Sequence, residues 1–133
     1  IANQKQFMKE PTSQMCALSS LDKEFMDRAM GIIEKNVANS EFNISMLVKE
    51  MGVGRTVLFN KLRTIVGQSP NDYIITVRLK KAISLLENNP ELNITEISEM
   101  TGFNYVGYFG RVFKERYKMT PSDYRNMKKT KEK

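Results

Sequence analysis

"SPNDY" at residues 69–73 and "TPSDY" at residues 120–124 are near-copies of one pentapeptide, fifty-one positions apart. Each reads as a helix start. Ser69 or Thr120 supplies a capping hydroxyl, and Pro70 or Pro121 sits at the first helical position, where a missing N–H costs no hydrogen bond. Asp72 or Asp123 follows in the first turn, near the positive end of the helix dipole. Working backwards, Asn43 matches Asn93, Ile44 matches Ile94, Leu47 matches Ile97 and Gly52 matches Gly102, all at an offset of 50. One inserted residue moves the offset to 51, at which Leu58 matches Phe109, Leu62 matches Phe113, Arg63 matches Lys114 and Tyr73 matches Tyr124. The punctuation repeats because a larger unit repeats: a short helix, a glycine turn and a second helix.

Hydrophobic spacing fills in the remaining elements. Phe25, Ala29, Ile32, Ile33 and Val37 form one apolar stripe, with Ser20 or Asp22 as its cap, and predict a lead helix over 22–42 after a flexible linker over 1–21. "NISMLVKEMG" places Ile44, Leu47, Val48 and Met51 on one face, and Gly52 stands where a helix end favours a left-handed residue. "RTVLFNKLRTIVG" buries Val57, Leu58, Leu62 and Ile65 and closes at Gly67. Residues 43–69 thus make a first helix-turn-helix. A linker helix follows over 70–92 with Ile75, Leu79, Ala82, Ile83 and Leu86 inward, and "NNPEL" breaks it. A second helix-turn-helix and a terminal helix occupy 93–127, and the basic tail 128–133, "KKTKEK", reads as a solvated end. No window alternates like a strand, so the expected fold is all-α, two helix-turn-helix units joined by a long linker helix, about seven helices in all.

Composition removes several kinds of chemistry. The chain contains no histidine and a single cysteine, Cys16. An internal disulfide, the usual zinc ligand sets and a Ser-His or Cys-His nucleophile pair are therefore out of reach, and neither a metal, a cofactor nor enzymatic activity is expected of these residues. No apolar run approaches about 18 residues and the start lacks the layout of a signal peptide, which together predict a soluble, cytoplasmic chain. Ile1 in place of Met reads as a cut from something longer. Charge is uneven: residues 1–42 hold five Lys/Arg against six Asp/Glu, a net of −1, and residues 43–133 hold sixteen against nine, a net of +7. The basic part is the part that carries the repeat.

In a helix-turn-helix the second helix enters the major groove of DNA and the first braces it across the backbone. Two helices joined at a glycine also occur in proteins that never meet nucleic acid, and a helical module whose DNA-binding face has decayed and which docks a partner protein remains the competing reading. Two units joined by this linker favour DNA. Roughly 19 residues at about 1.5 Å rise give some 28 Å, close to the roughly 34 Å between successive major-groove turns on one face of the duplex. One chain is then expected to do what a dimer usually does, as a monomer on double-stranded DNA.

The segment "GFNYVGYFGRVFKERYKMTPSDYR", residues 102–125, closely resembles the signature region of AraC/XylS-type transcription regulators. "VGRTVLFNKLRTIVGQSPNDYIITVRLKKAISLL" resembles their first recognition helix and linker helix, so that the likeness covers residues 43 to 127. Gly102, Phe103, Tyr108, Phe109, Arg111, Phe113, Lys114, Thr120, Pro121, Tyr124 and Arg125 all fall in register. The lead helix is similar to the one ahead of this domain in hybrid two-component sensors of Bacteroidetes. That resemblance implies a longer, membrane-anchored, homodimeric parent with histidine kinase and receiver regions, and RNA polymerase as a further partner.

Register then assigns roles. In the first recognition helix the resemblance places base contacts at Thr56, Phe59 and Asn60, and the outward Arg55 and Arg63 read as phosphate contacts. Phe59 can lie against thymine methyls or simply pack on a neighbouring helix, and Asn60 can pair with adenine. In the second, Gly107, Tyr108 and Arg111 take the contact positions. Arg111 suits guanine, or else holds a carboxylate of the linker helix or a phosphate. Tyr108 is also a candidate for half-burial. Gly107 and Gly110 depart from the small polar residues of the family, which implies a less rigid second helix and a poorer direct readout there. Lys114, Arg116 and Lys118 read as phosphate contacts.

Overall fold

The computed structural model describes residues 19–132, with side chains as far as Lys129. The expectations for 1–18, the flexible lead and Cys16 among them, fall outside the described residues. Within the described residues the chain forms seven helices and no strand: α1 Ser20–Lys35, α2 Ile44–Met51, α3 Arg55–Val66, α4 Pro70–Asn88, α5 Ile94–Met100, α6 Val106–Tyr117 and α7 Pro121–Glu132. The all-α expectation is met, and among the described residues no helix is long and apolar enough to cross a membrane. The helices divide between two compact units, one of residues 19–33 and 43–74, the other of 34–42 and 75–132.

In the first unit, helix ends follow local chemistry. The Asn43 side chain accepts from the Met46 amide, and Gly52 ends α2 at φ 71° with its own amide on the Val48 carbonyl. Gly67 ends α3 the same way at φ 70°. The Asp72 amide donates to Ser69 Oγ, confirming the pentapeptide as a start signal. The lead helix is capped by neither Ser20 nor Asp22. Ser19 does it, its Oγ accepting from the Asp22 amide. α1 also stops at Lys35, short of 42, because Asn36 and Asn39 take part in successive turns, with the Asn39 amide on the Asn36 carbonyl and the Phe42 amide on Asn39.

The core of this unit comprises Met26, Ala29 and Ile33 of α1, Leu47 and Met51 of α2, Leu58, Leu62 and Ile65 of α3, and Tyr73 and Ile74 at the start of α4. Met26 holds the inward position expected of Phe25, which is half-buried. Val57, expected inside, is 46% exposed. At about 100° per residue it lies well off the stripe of Leu58, Leu62 and Ile65, on the flank that the neighbouring helices leave open.

The second unit is built on phenylalanines. Phe103, Phe109 and Phe113 are buried with Leu79, Ala82, Leu85, Leu86 and Ile97. Ring centroids stand 5.1 Å apart for Phe103 and Phe109 and 5.8 Å for Phe109 and Phe113, the latter edge-on. Asn93 closes a capping box with Glu96, and Thr120 Oγ1 caps α7 by accepting from the Asp123 amide. Two arginines act as carbonyl clamps. Arg78, only 5% exposed, donates to the carbonyls of Val37, Asn39 and Thr101 at 2.9, 3.1 and 3.0 Å. Arg125 donates to those of Leu86, Asn89 and Leu92 at 3.2, 3.1 and 2.6 Å, covering the open end of α4. Carbonyls left over at a helix end need such donors. The tail expected to be a solvated end is helical through Glu132, where Lys128 reaches both the Glu87 carboxylate at 3.6 Å and the face of Tyr124.

Candidate nucleic-acid interface

The recognition helices α3 and α6 each turn one stripe inward and the opposite stripe out. In α3, Leu58, Leu62 and Ile65 are buried, while Thr56, Asn60 and Arg63, spaced i, i+4 and i+7, are exposed. In α6, Phe109 and Phe113 are buried, while Gly107, Arg111 and Lys114 occupy the equivalent exposed stripe. The two triplets are related by the offset of 51 that relates the pentapeptides.

Around each triplet the structure separates the remaining candidates. Phe59 is half-buried, so that it flanks the outward stripe of α3 instead of lying on it, and exposed Val57 takes the opposite flank. A period of 3.6 tells inside from outside but not which flank a neighbour covers; Val57 is the apolar outward residue that the sequence reading missed. Arg55 is exposed and donates to Ser45 Oγ of α2 at 2.9 Å. In the second unit Tyr108 is 37% exposed, its ring 5.8 Å from that of Phe103, and the Arg111 guanidinium lies 5.2 Å from the Tyr108 ring centre. Arg111 thus lies over an aromatic face of its own helix, one turn closer to the N-terminus, and is exposed. It is Arg116 that reaches the linker helix, donating to the Thr76 hydroxyl at 2.8 Å. Lys118 is exposed and ends α6 at φ 67°, where the first unit has Gly67.

Capping sets these two helices apart. Gly54 precedes α3 and Tyr105 precedes α6, and neither supplies a side-chain cap. Ser19, Asn43, Ser69, Asn93 and Thr120 cap the other five described helices. The first-turn amides of α3 and α6 are open, and with the dipole they make a local positive end suited to phosphate oxygens. Not all the basic residues share in this surface, since Arg78 and Arg125 point at carbonyls, and burial draws the Arg78 pKa below its ordinary value against a smaller opposing influence of Tyr108. No group of His, Cys, Asp and Glu able to hold a metal occurs among the described residues.

Residues 47–127 match the family model of the helix-turn-helix domain. The lead helix α1 lies before that span. Over 118 residues, 89% of this chain, the sequence is 39% identical to histidine kinase P4 of Formosa agariphila, of which it covers 8%. The fold superposes on the C-terminal domain of the two-component response regulator yesN of Fusobacterium nucleatum with a TM-score of 0.67 at 32% identity, covering 80% of this chain and 99% of that one. A transcriptional regulator with an AraC-type DNA-binding domain from Chromobacterium violaceum shares the fold at a TM-score of 0.74 and 21% identity, covering 83% of this chain and 96% of that one. The chain belongs to the helix-turn-helix domain family, and its described helices include two such units, α2 with α3 and α5 with α6.

Proposed function

We propose that this chain is the sequence-reading output domain of a transcription regulator, placing α3 and α6 in successive major grooves of double-stranded DNA. The observation that carries this is the pair of outward triplets, Thr56, Asn60 and Arg63 against Gly107, Arg111 and Lys114, each opposite a buried stripe on an uncapped helix. Asn60 offers the amide geometry that adenine matches, and Arg111 the fork that guanine O6 and N7 match. Thr56 and Phe59 contact neighbouring bases, and Tyr108 and Gly107 line the second site. Arg55, Arg63, Lys114, Arg116 and Lys118 hold phosphates, which position without specifying.

The similarity to a histidine kinase and to a response-regulator domain supports a phosphorelay parent, a homodimer anchored at the membrane with this domain in the cytoplasm. In that parent these 133 residues bind DNA as a single copy and carry no catalytic step, and RNA polymerase is the downstream partner. Titration with duplex DNA at several salt concentrations tests the core of the proposal. A steep fall of log affinity with log salt is expected. Arg111→Ala should lower affinity for a duplex enriched from a random library by roughly 10- to 100-fold and barely change binding to random duplex, whereas Arg63→Ala should weaken both and lower the slope by about one. A flat salt dependence would favour a protein-docking module instead.

A further inference from the structure

α1 lies outside the span of the family match, yet it is built into the first reading unit. Its Met26, Ala29 and Ile33 are 2%, 0% and 1% exposed. Two directional contacts leave it for the two helices of the helix-turn-helix. Arg28 donates to the carbonyl of Met51, the last residue of the brace helix α2, at 2.8 Å. Asp22, in the first turn of α1, accepts from the Lys61 ammonium of the recognition helix at 2.6 Å. Met51 and Lys61 stand on either side of the turn at 52–54, so one helix grips both arms of the motif across its corner. Lys61 is the immediate neighbour of Asn60, and the contact is part-buried, its carboxylate 25% exposed. The backbone that carries the carboxylate is anchored as well, since the Asp22 amide donates to the Ser19 cap.

We infer that α1 is a positioning clamp for the first reader, in which Asp22, acting through Lys61, sets the rotation of α3 that points Thr56 and Asn60 at the bases. The argument rests on the DNA-reading role proposed above. Asp22 is a positioning residue and touches no base. Its place gives it a second consequence. Asp22 stands in the first turn of α1, so a pull or twist that reaches the start of this helix acts on the Asp22–Lys61 contact. Separating the pair lets α3 roll about its buried stripe and lowers discrimination while the core stays folded. Coupling between elements of this kind is typically modest, of the order of a few-fold to some thirty-fold in affinity.

The test uses the full 133-residue chain and two probes, a duplex enriched by the wild-type chain from a random-sequence library and a random duplex of equal length. Asp22→Lys adds positive charge, so plain electrostatics predicts tighter binding to both duplexes with their ratio unchanged. The clamp predicts that the ratio of enriched to random affinity falls roughly three- to tenfold even as random binding strengthens. The exchanged pair, Asp22→Lys with Lys61→Asp, should restore the ratio to within about twofold. Asp22→Asn, which keeps the shape, should show the same fall in smaller measure and guards against misfolding of the reversal variant. A ratio unmoved by Asp22→Lys and Asp22→Asn in chains that melt cooperatively overturns the clamp, as does a fall that the exchanged pair leaves uncorrected. A wild-type chain that enriches no duplex overturns the DNA-reading role, and the clamp with it.

Discussion

A Cβ on Gly102 would fall inside the guanidinium of Arg78. Gly102 sits at φ 82° just past the end of α5, and the space its missing side chain leaves is filled by Arg78 of the linker helix and bounded by the Val37 carbonyl. The residue therefore serves twice. It permits the left-handed turn between the brace and recognition helices of the second unit, and it lets a buried arginine reach the carbonyls of Val37, Asn39 and Thr101. Gly52, its counterpart in the first unit, has the same conformation with open space around it, so only the backbone requirement repeats.

Gly102→Ala should consequently cost more than Gly52→Ala. The first adds overlap with a fixed guanidinium to left-handed strain, about 3 kcal/mol or more together, and the second only the strain, about 1 to 2 kcal/mol. Removing the obstacle should soften the effect. In a double-mutant cycle with Arg78→Ala, the pair is expected to destabilise by at least about 1 kcal/mol less than the sum of the single changes, read from urea unfolding midpoints. Additive values would mean that Arg78 moves aside freely.

How much of this was legible in the sequence depends on the range of each interaction. Asn43, Ser69, Asn93 and Thr120 announce helix starts because a cap needs only an amide three residues away, and Gly52, Gly67 and Gly102 announce ends for the same local reason. The outward triplets were also readable, since a stripe of Leu58, Leu62 and Ile65 fixes what lies opposite. Arg78 was not. Its position in a basic stretch, "VRLKK", suggests a solvated cation, and only the carbonyls brought in from residues 37, 39 and 101 make it a buried clamp. The exchange of Val57 and Phe59 has the same origin, because which flank of α3 is covered is decided by neighbouring helices.

Lys118 occupies the helix end that Gly67 holds in the first unit, at φ 67° against 70°. A lysine there pays a conformational penalty of about 1 kcal/mol that glycine avoids. Lys118→Gly should raise stability by up to about that amount while weakening binding to any duplex and lowering the salt slope by about one. Calorimetry and a salt titration on the same sample check both halves. Stability gained with DNA binding unchanged would remove Lys118 from the phosphate contacts.

Tyr124 predicts an alkaline transition. Its hydroxyl donates to the Glu87 carboxylate, and burial, followed by that carboxylate, pushes its pKa up from 10.0 to about 12. The folded value lies above the unfolded one, so the stabilisation is complete below pH 10 and is lost as pH rises through about 12. Helical circular dichroism followed over that window should show cooperative loss coinciding with phenolate absorbance, and Tyr124→Phe should blunt the dependence of stability on pH there. An unchanged profile would assign the transition to another group.

Gly107 and Gly110 stand in α6 with nothing but their chain neighbours and the helix's own backbone within 4 Å of where a Cβ would be built, and neither adopts a positive φ. Nothing in the fold calls for glycine at either place. Each costs the helix on the order of 1 kcal/mol relative to alanine, so Gly107→Ala and Gly110→Ala should each stabilise by about that much and raise the melting temperature by several degrees. Their effects on DNA should then part. Gly110 is half-buried, off the outward stripe, and alanine there stiffens α6 before binding, which should leave affinity equal or somewhat higher. Gly107 lies on the stripe with Arg111 and Lys114, where a new methyl meets whatever the helix approaches. Gly107→Ala is expected to lower affinity for the enriched duplex by roughly threefold or more despite the firmer helix, since the methyl blocks close approach. Equal gains in affinity from both substitutions would show that α6 is limited by its flexibility alone, and that Gly107 makes no contact with the bases.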